Sequence, residues 1–228
     1  MKLSLPYDIY ERHKKVGSFI ENGETVLDVG GELNQLSQFC QPSKIVVANL
    51  KKSQENSDVI VKKGKLPFKK SSFDVACAID VLEHIPKNER RAFIKNLQEV
   101  SAKKVILSFP IGTSTHINYE KELQNYLEGK KYDVTYLKEH IALGLPQKKE
   151  LETILEGQNF NTYYSGNLSF NKILFKLHVF DPHVKYFRKF VYLSKLAFNL
   201  ITNKILYVVL SNRSYSQNVV REYVLIRK

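Results

Sequence analysis

Phe73-Asp74-Val75-Ala76-Cys77-Ala78-Ile79, running into Asp80-Val81-Leu82-Glu83-His84-Ile85-Pro86, decides how this chain is read. Its first seven residues are apolar except for one aspartate. Such a run is expected of a parallel strand covered on both faces. Upstream lie Leu66-Pro67-Phe68 and Ser72, and before them three further strand patterns at Val26–Val29, Lys44–Ala48 and Val59–Val61. The first of these ends in Asp28-Val29-Gly30-Gly31, a turn where two glycines let the backbone approach a neighbour or ligand closely. Helical patterns are expected over Asp8–Glu21, from Leu33 to Phe39, and over Asn88–Val100, where Phe93, Ile94, Leu97 and Val100 share one stripe. Lys104–Phe109 is the fifth strand, ended by Pro110. Strands alternating with helices predict a parallel sheet with helices on both faces.

Beyond Pro110 the rhythm slackens. Ile117–Gly129 and Gln147–Glu156 read as helices, Asn161–Tyr164 as a sixth strand and Val219–Ile226 as a last strand. Between the last two, residues 169–212 carry two helical stripes, one through Phe170, Ile173, Leu174 and Leu177, the other from Phe187 to Val208. Lys195 and Lys204 interrupt the second stripe. It is therefore read as a helix on its own domain, on a second subunit or on a membrane surface, and not as a span.

The length of 228 residues suits a single domain, residues 1–228, with 169–212 as a basic and aromatic insertion within it. The net charge of +12 is uneven, because eleven Lys or Arg face two Asp or Glu from Leu168 to Lys228. That tail invites an acidic partner such as phosphate or lipid headgroups, or it is a solvated surface. Cys40 and Cys77 supply neither a disulfide framework nor metal-ligand spacing, and no metal is expected. The first residues lack a signal-peptide core. A cytoplasmic setting, peripheral to the inner face of a membrane, is the expectation.

The ordered set Asp28-Val29-Gly30-Gly31, Leu66-Pro67-Phe68, Ser72-Phe73-Asp74 and Leu82-Glu83-His84 resembles the class I S-adenosylmethionine (SAM)-dependent methyltransferases, of the small-molecule type. The resemblance covers Val26 to Pro110. It implies a Rossmann-like, doubly wound α/β sheet of seven strands, the last antiparallel, with the 169–212 insertion ahead of that strand. It also implies SAM as cofactor, held at the edge bounded by Asp28, Gly30, Gly31, Asn49, Leu66 and Asp80. Asp28 would meet the ammonium, Asn49 the ribose, and backbone around Gly64 to Leu66 the adenine. The chain departs from the family pattern at Glu32 and Asn34, where glycines are usual, and at Asn49, where an acidic residue is usual. An amide forgoes charge-assisted hydrogen bonds, so a weaker grip on ribose is expected there.

Methyl transfer requires the acceptor to be positioned and its proton removed, and histidine suits that task near neutrality. His84, His116 and His140 are the candidate catalytic residues. Glu139 and His140 fall in Glu139-His140-Ile141-Ala142-Leu143-Gly144-Leu145-Pro146, which resembles an EH…GLP signature of glycan-cluster methyltransferases, and are candidate acceptor-binding residues. No Asn/Asp-Pro-Pro-aromatic motif follows the fourth strand, and no separate RNA-binding module is evident, so nucleic acid is not the expected acceptor. A small-molecule or glycan acceptor, methylated on oxygen, is the first reading. An RNA methyltransferase and a non-catalytic protein of this fold are the rivals, and a homodimer through the insertion is the alternative to contact with a membrane.

Overall fold

The computed structural model describes residues 4–49, 58–61, 65–180 and 185–228. Gly64, part of the expected adenine contact, lies outside the described residues. Seven strands form one sheet: β1 (Thr25–Val29), β2 (Lys44–Asn49), β3 (Val59–Ile60), β4 (Phe73–Ile79), β5 (Ser101–Pro110), β6 (Asn159–Ser165) and β7 (Arg221–Arg227), in the order β3-β2-β1-β4-β5-β7-β6. β1 through β5 pair in parallel, whereas β7 runs antiparallel between β5 and β6. This is the sheet expected of the methyltransferase fold.

The pleat sorts side chains onto two faces. Leu27, Ala76, Leu107 and Val224 pack on one face with Ile94 and Leu97 of α2 (Arg90–Val100) and Leu151 of α5 (Lys148–Ile154). Val26, Val75, Cys77, Ile106 and Tyr223 pack on the other with Val16 of α1 (Tyr7–Gly17) and Leu36. Central strands buried on both sides account for their unbroken apolar runs.

Two expectations are corrected. The helix expected from Leu33 is a single 3-10 turn, Leu36–Gln38, because Asn34 adopts a left-handed φ of 63° that a continuing helix cannot use. The segment around Glu139 and His140, read only as a motif, forms α4 (Thr135–Leu143), which follows α3 (Ser114–Gly129).

Between β6 and β7 come α6 (Leu168–Val179) and the 26-residue α7 (Lys185–Leu210). One side of α7 is sealed on the domain. Leu206, Tyr207 and Leu210 pack with Tyr7 and Tyr10 of α1. Asn199 and Asn203, both buried, donate to the carbonyls of Ser4 and Leu5 at 3.1 and 2.9 Å. The opposite side is bare: Tyr186 is 87%, Ile201 70% and Val208 81% exposed. Tyr186–Leu210 is long and apolar enough to cross a membrane by length and composition, with a mean hydropathy of 1.3 over its most apolar window.

Candidate active site

The carboxyl ends of the parallel strands carry two adjoining features, a glycine turn after β1 and a cavity beyond β4 and β5. In the turn, Gly30 has a φ of +82°, and a Cβ there would overlap Val81. A Cβ at Gly31 would overlap the carboxylate of Asp28, so both positions demand glycine. Asp28 is 1% exposed, on the β1 face that also carries Val26. Burial pushes its carboxyl up to about 7, against a small opposing pull from the Cys77 thiol 3.5 Å away. Asn49, at the end of β2, donates its side-chain amide to the Gly31 carbonyl at 3.0 Å. This residue therefore braces the turn itself. Leu66 is buried in the core beside Val61 and Phe68.

Asp80 and Val81 form the seam between turn and cavity. Val81 abuts Gly30, and Asp80, with a left-handed φ of 55°, lines the cavity. Arg12 of α1 pairs with Asp80 Oδ2 at 2.6 Å, and Arg221 of β7 pairs with Oδ1. Burial opposes the charge on Asp80, but Arg221 and then Arg12 overcome it and hold the carboxyl at about 2. Its carboxylate is a clasp between α1, β4 and β7.

The cavity measures about 810 Å³. Its floor holds Glu83, His84, His116 and His140, and α6 and α7 roof it through residues such as Leu174, Phe175, Val191 and Phe198. The structure thus brings all three candidate histidines to one wall. His84 sits in the 3-10 turn Leu82–His84 and bonds through Nδ1 to Glu139 Oε2 at 2.8 Å. The His140 ring lies 4.8 Å from that of His84, centre to centre, and its Nδ1 bonds to Glu120 Oε1 at 3.0 Å. His116 opens α3, where Thr113 caps its backbone N–H at 3.1 Å. Its Nδ1 donates to the Ile111 carbonyl at 3.0 Å, which leaves Nε2 with the lone pair. Burial depresses its basicity to about 4, although Glu120 nearby favours the proton. Glu83 is 1% exposed, and burial, with the neighbouring Asp80 charge, raises its carboxyl well above the usual range.

Sequence reasoning missed Glu120, since an acidic residue on a helix carries no signal of its tertiary partner. It also missed Arg90, which is 1% exposed. Arg90 donates to the Ile85 carbonyl at 3.0 Å, grips Glu150 at 3.0 and 3.1 Å and bonds the Gly144 carbonyl. One guanidinium thus ties the strand-four loop, the end of α4 and the start of α5, which keeps His84 and Glu139 in register.

Residues 37–109 match the family profile described as "Methyltransferase domain". No curated protein sequence matches the chain. Similar solved structures include a SAM-dependent methyltransferase from Archaeoglobus fulgidus, 12% identical, with a TM-score of 0.56 over 97% of this chain and 94% of that one. Another is the phosphoethanolamine N-methyltransferase 2 of Haemonchus contortus in complex with phosphomonomethylethanolamine and S-adenosylhomocysteine. It is 12% identical, with a TM-score of 0.55 over 95% of this chain and 52% of that one. The YcgJ protein of Bacillus subtilis aligns at 12% identity and a TM-score of 0.52, over 94% and 95% of the two chains. Identities this low speak to the fold. The profile match, over about a third of the chain, sets a methyltransferase-domain pattern on a fold that the chain shares with these structures.

The turn suits SAM, the cofactor that the sequence resemblance implies. SAM carries an ammonium and a sulfonium, and Asp28 is a buried carboxylate with no cation paired to it among the described residues. The side-chain-free turn at Gly30 and Gly31 lets a ligand reach the backbone.

Proposed function

We propose that this chain binds SAM at the Asp28–Gly31 turn and methylates an oxygen of a small-molecule or sugar-containing acceptor held in the adjoining cavity. The observation that carries the reading is the seam at Asp80–Val81, which sets the glycine turn directly beside a cavity walled by His84, His116 and His140. SAM supplies a methyl group already activated by its sulfonium. The protein's own part is to orient the acceptor and take its proton. His84 and His140 each present Nδ1 to a carboxylate, Glu139 and Glu120, so both rings are held in place with Nε2 left for an acceptor. The apolar side chains of α6 and α7 that line the cavity offer a surface for the apolar part of an acceptor.

The reading extends to where the acceptor comes from. The bare side of α7 is apolar and is accompanied by Arg188, Lys189 and Lys204, and the tail from Leu168 onward is strongly basic. With its other side packed on α1, the helix suits lying on an anionic lipid surface with the cavity beneath it. A lipid-linked acceptor would then enter under the roof.

Calorimetry with SAM and S-adenosylhomocysteine tests the first step, and a screen of hydroxylated acceptors with labelled methyl tests the second. No heat and no thermal shift at millimolar ligand would leave a non-catalytic protein of this fold. Vesicle sedimentation tests the third: binding to anionic vesicles at low salt, lost at high salt and in Arg188→Glu/Lys189→Glu, is the expected result. A stable dimer that stays in the supernatant would instead assign the bare face to a second subunit.

A further inference from the structure

Glu83, His84 and His140 converge more closely than acceptor binding alone requires. One ligating atom from each lies within 4.8 Å of the others. They come from two separate elements, the turn after β4 and helix α4, so their meeting is a product of the tertiary fold.

Both imidazoles are dressed alike. His84 Nδ1 is bonded to Glu139 at 2.8 Å and His140 Nδ1 to Glu120 at 3.0 Å. A carboxylate on Nδ1 fixes the ring and its tautomer and raises the donor strength of Nε2, which is the arrangement that metal-ligating histidines almost always show. His140 is 7% exposed and its Nε2 is buried without a partner. Glu83 is 1% exposed and its Oε2 is likewise buried without a partner. Two unsatisfied ligating atoms in one buried cluster are costly unless something fills the space between them. A hydrogen bond from one to the other would satisfy both, but neither makes it.

We propose that Glu83, His84 and His140 form the binding site for one divalent transition-metal ion, whose remaining positions face the cavity. Two imidazole nitrogens and one carboxylate oxygen are the donor set of open sites that hold ions from Mn²⁺ to Zn²⁺. Metal–donor lengths of about 2.0–2.2 Å put donors roughly 3–3.5 Å apart, so small side-chain rotations close the set around an ion. Glu139 and Glu120 are its supporting carboxylates. Resting on the methyltransferase reading, the inference also names the acceptor chemistry. An oxygen of the acceptor, or a vicinal pair of oxygens as in a sugar, takes the open positions. The ion lowers the hydroxyl's pKa, its proton passes to a cavity water, and the alkoxide stays on the metal. In that state His84 and His140 act as ligands rather than as the proton acceptor.

The test uses the full chain stripped with chelator. Titration with Co²⁺ should give one bound ion per chain, with visible absorption bands of a low-coordinate site, and Zn²⁺ should displace it. His140→Ala and Glu83→Gln should each weaken Co²⁺ binding by at least about tenfold, the scale on which even supporting partners of such ligands act. Far-ultraviolet circular dichroism checks that both variants fold, and Glu120→Gln, which leaves all three ligands present, should shift the bands and weaken binding less. Absent bands and heat in the folded wild type, or binding that persists in both ligand variants, would overturn the site. SAM titration in the same samples separates the readings: intact SAM binding without metal binding would remove the metal and leave the methyltransferase.

Discussion

The glycine turn and the histidine wall lie side by side at one edge of the sheet, yet they are built by opposite means. The turn is made of backbone: Gly30 and Gly31 are required by Val81 and Asp28, and Asn49 braces the loop through its amide. Such a site tolerates unusual side chains at Glu32 and Asn34, because what it presents is main chain. The wall is made of side chains from three elements: His84 is held by Glu139, His140 by Glu120 and His116 by the Ile111 carbonyl, while Arg90 ties the turn after β4 to the end of α4. Changes in the turn should therefore act on SAM affinity and stability, and changes in the wall on turnover.

The largest expected effect tests that division on the wall. His84→Ala should lower turnover by roughly 10²–10⁴-fold with little change in SAM affinity, whether the ring takes a proton or holds an ion. Single-turnover assays beside a SAM titration measure both. Equal losses in turnover and SAM affinity would break the comparison, since the wall would then be part of the cofactor site.

Asp28→Asn should come next, and it should move affinity and stability in opposite directions. Asp28 is raised in the folded state to about 7 from an ordinary value of 3.8. The folded protein therefore holds this proton more tightly than the unfolded chain does, and that contribution is lost as pH rises through about 7. The asparagine variant avoids the buried charge, so it should melt higher than wild type at pH 8, by ~2–4 °C for each kcal/mol gained. At pH 5 the difference should shrink. SAM affinity of the wild type should rise between pH 6 and pH 8 as the carboxylate ionises, and the variant should lose that dependence. Melting curves and calorimetry at the two pH values decide it.

Asn49→Asp is the smallest and the most pointed. From the sequence, a carboxylate at this position should tighten the hold on ribose. In the fold, the Asn49 amide is a donor to the Gly31 carbonyl, and aspartate would set two acceptors face to face. A hydrogen bond of this kind is worth about 0.5–1.5 kcal/mol, so SAM affinity should fall a few-fold and the melting temperature by a few degrees. A gain in affinity would show that the ribose contact outweighs the brace.

These outcomes follow the line between local and distant information. β1 and β4 were legible because parallel strands buried on both faces leave unbroken apolar runs, and the glycine turn because its residues are adjacent in the chain. The two stripes before the last strand predicted α6 and α7, since helical period is a local property. The helix expected after Leu33 failed at Asn34, whose left-handed backbone is set by the turn around it. α4 stayed hidden inside a motif because its partners, Leu123 and Leu127 of α3, are supplied by packing.

By itself the sequence determined the class of fold, where its main strands fall along the chain and the identity of the turn, because those rest on periodicity and on neighbours within a few residues. Only the tertiary structure decided what the functional side chains do. Glu120 reaches His140 across 20 residues, Glu139 reaches His84 across 55, and Arg221 reaches Asp80 across 141. A side chain's chemistry depends on burial and on the charge beside it, and neither is a property of the local chain.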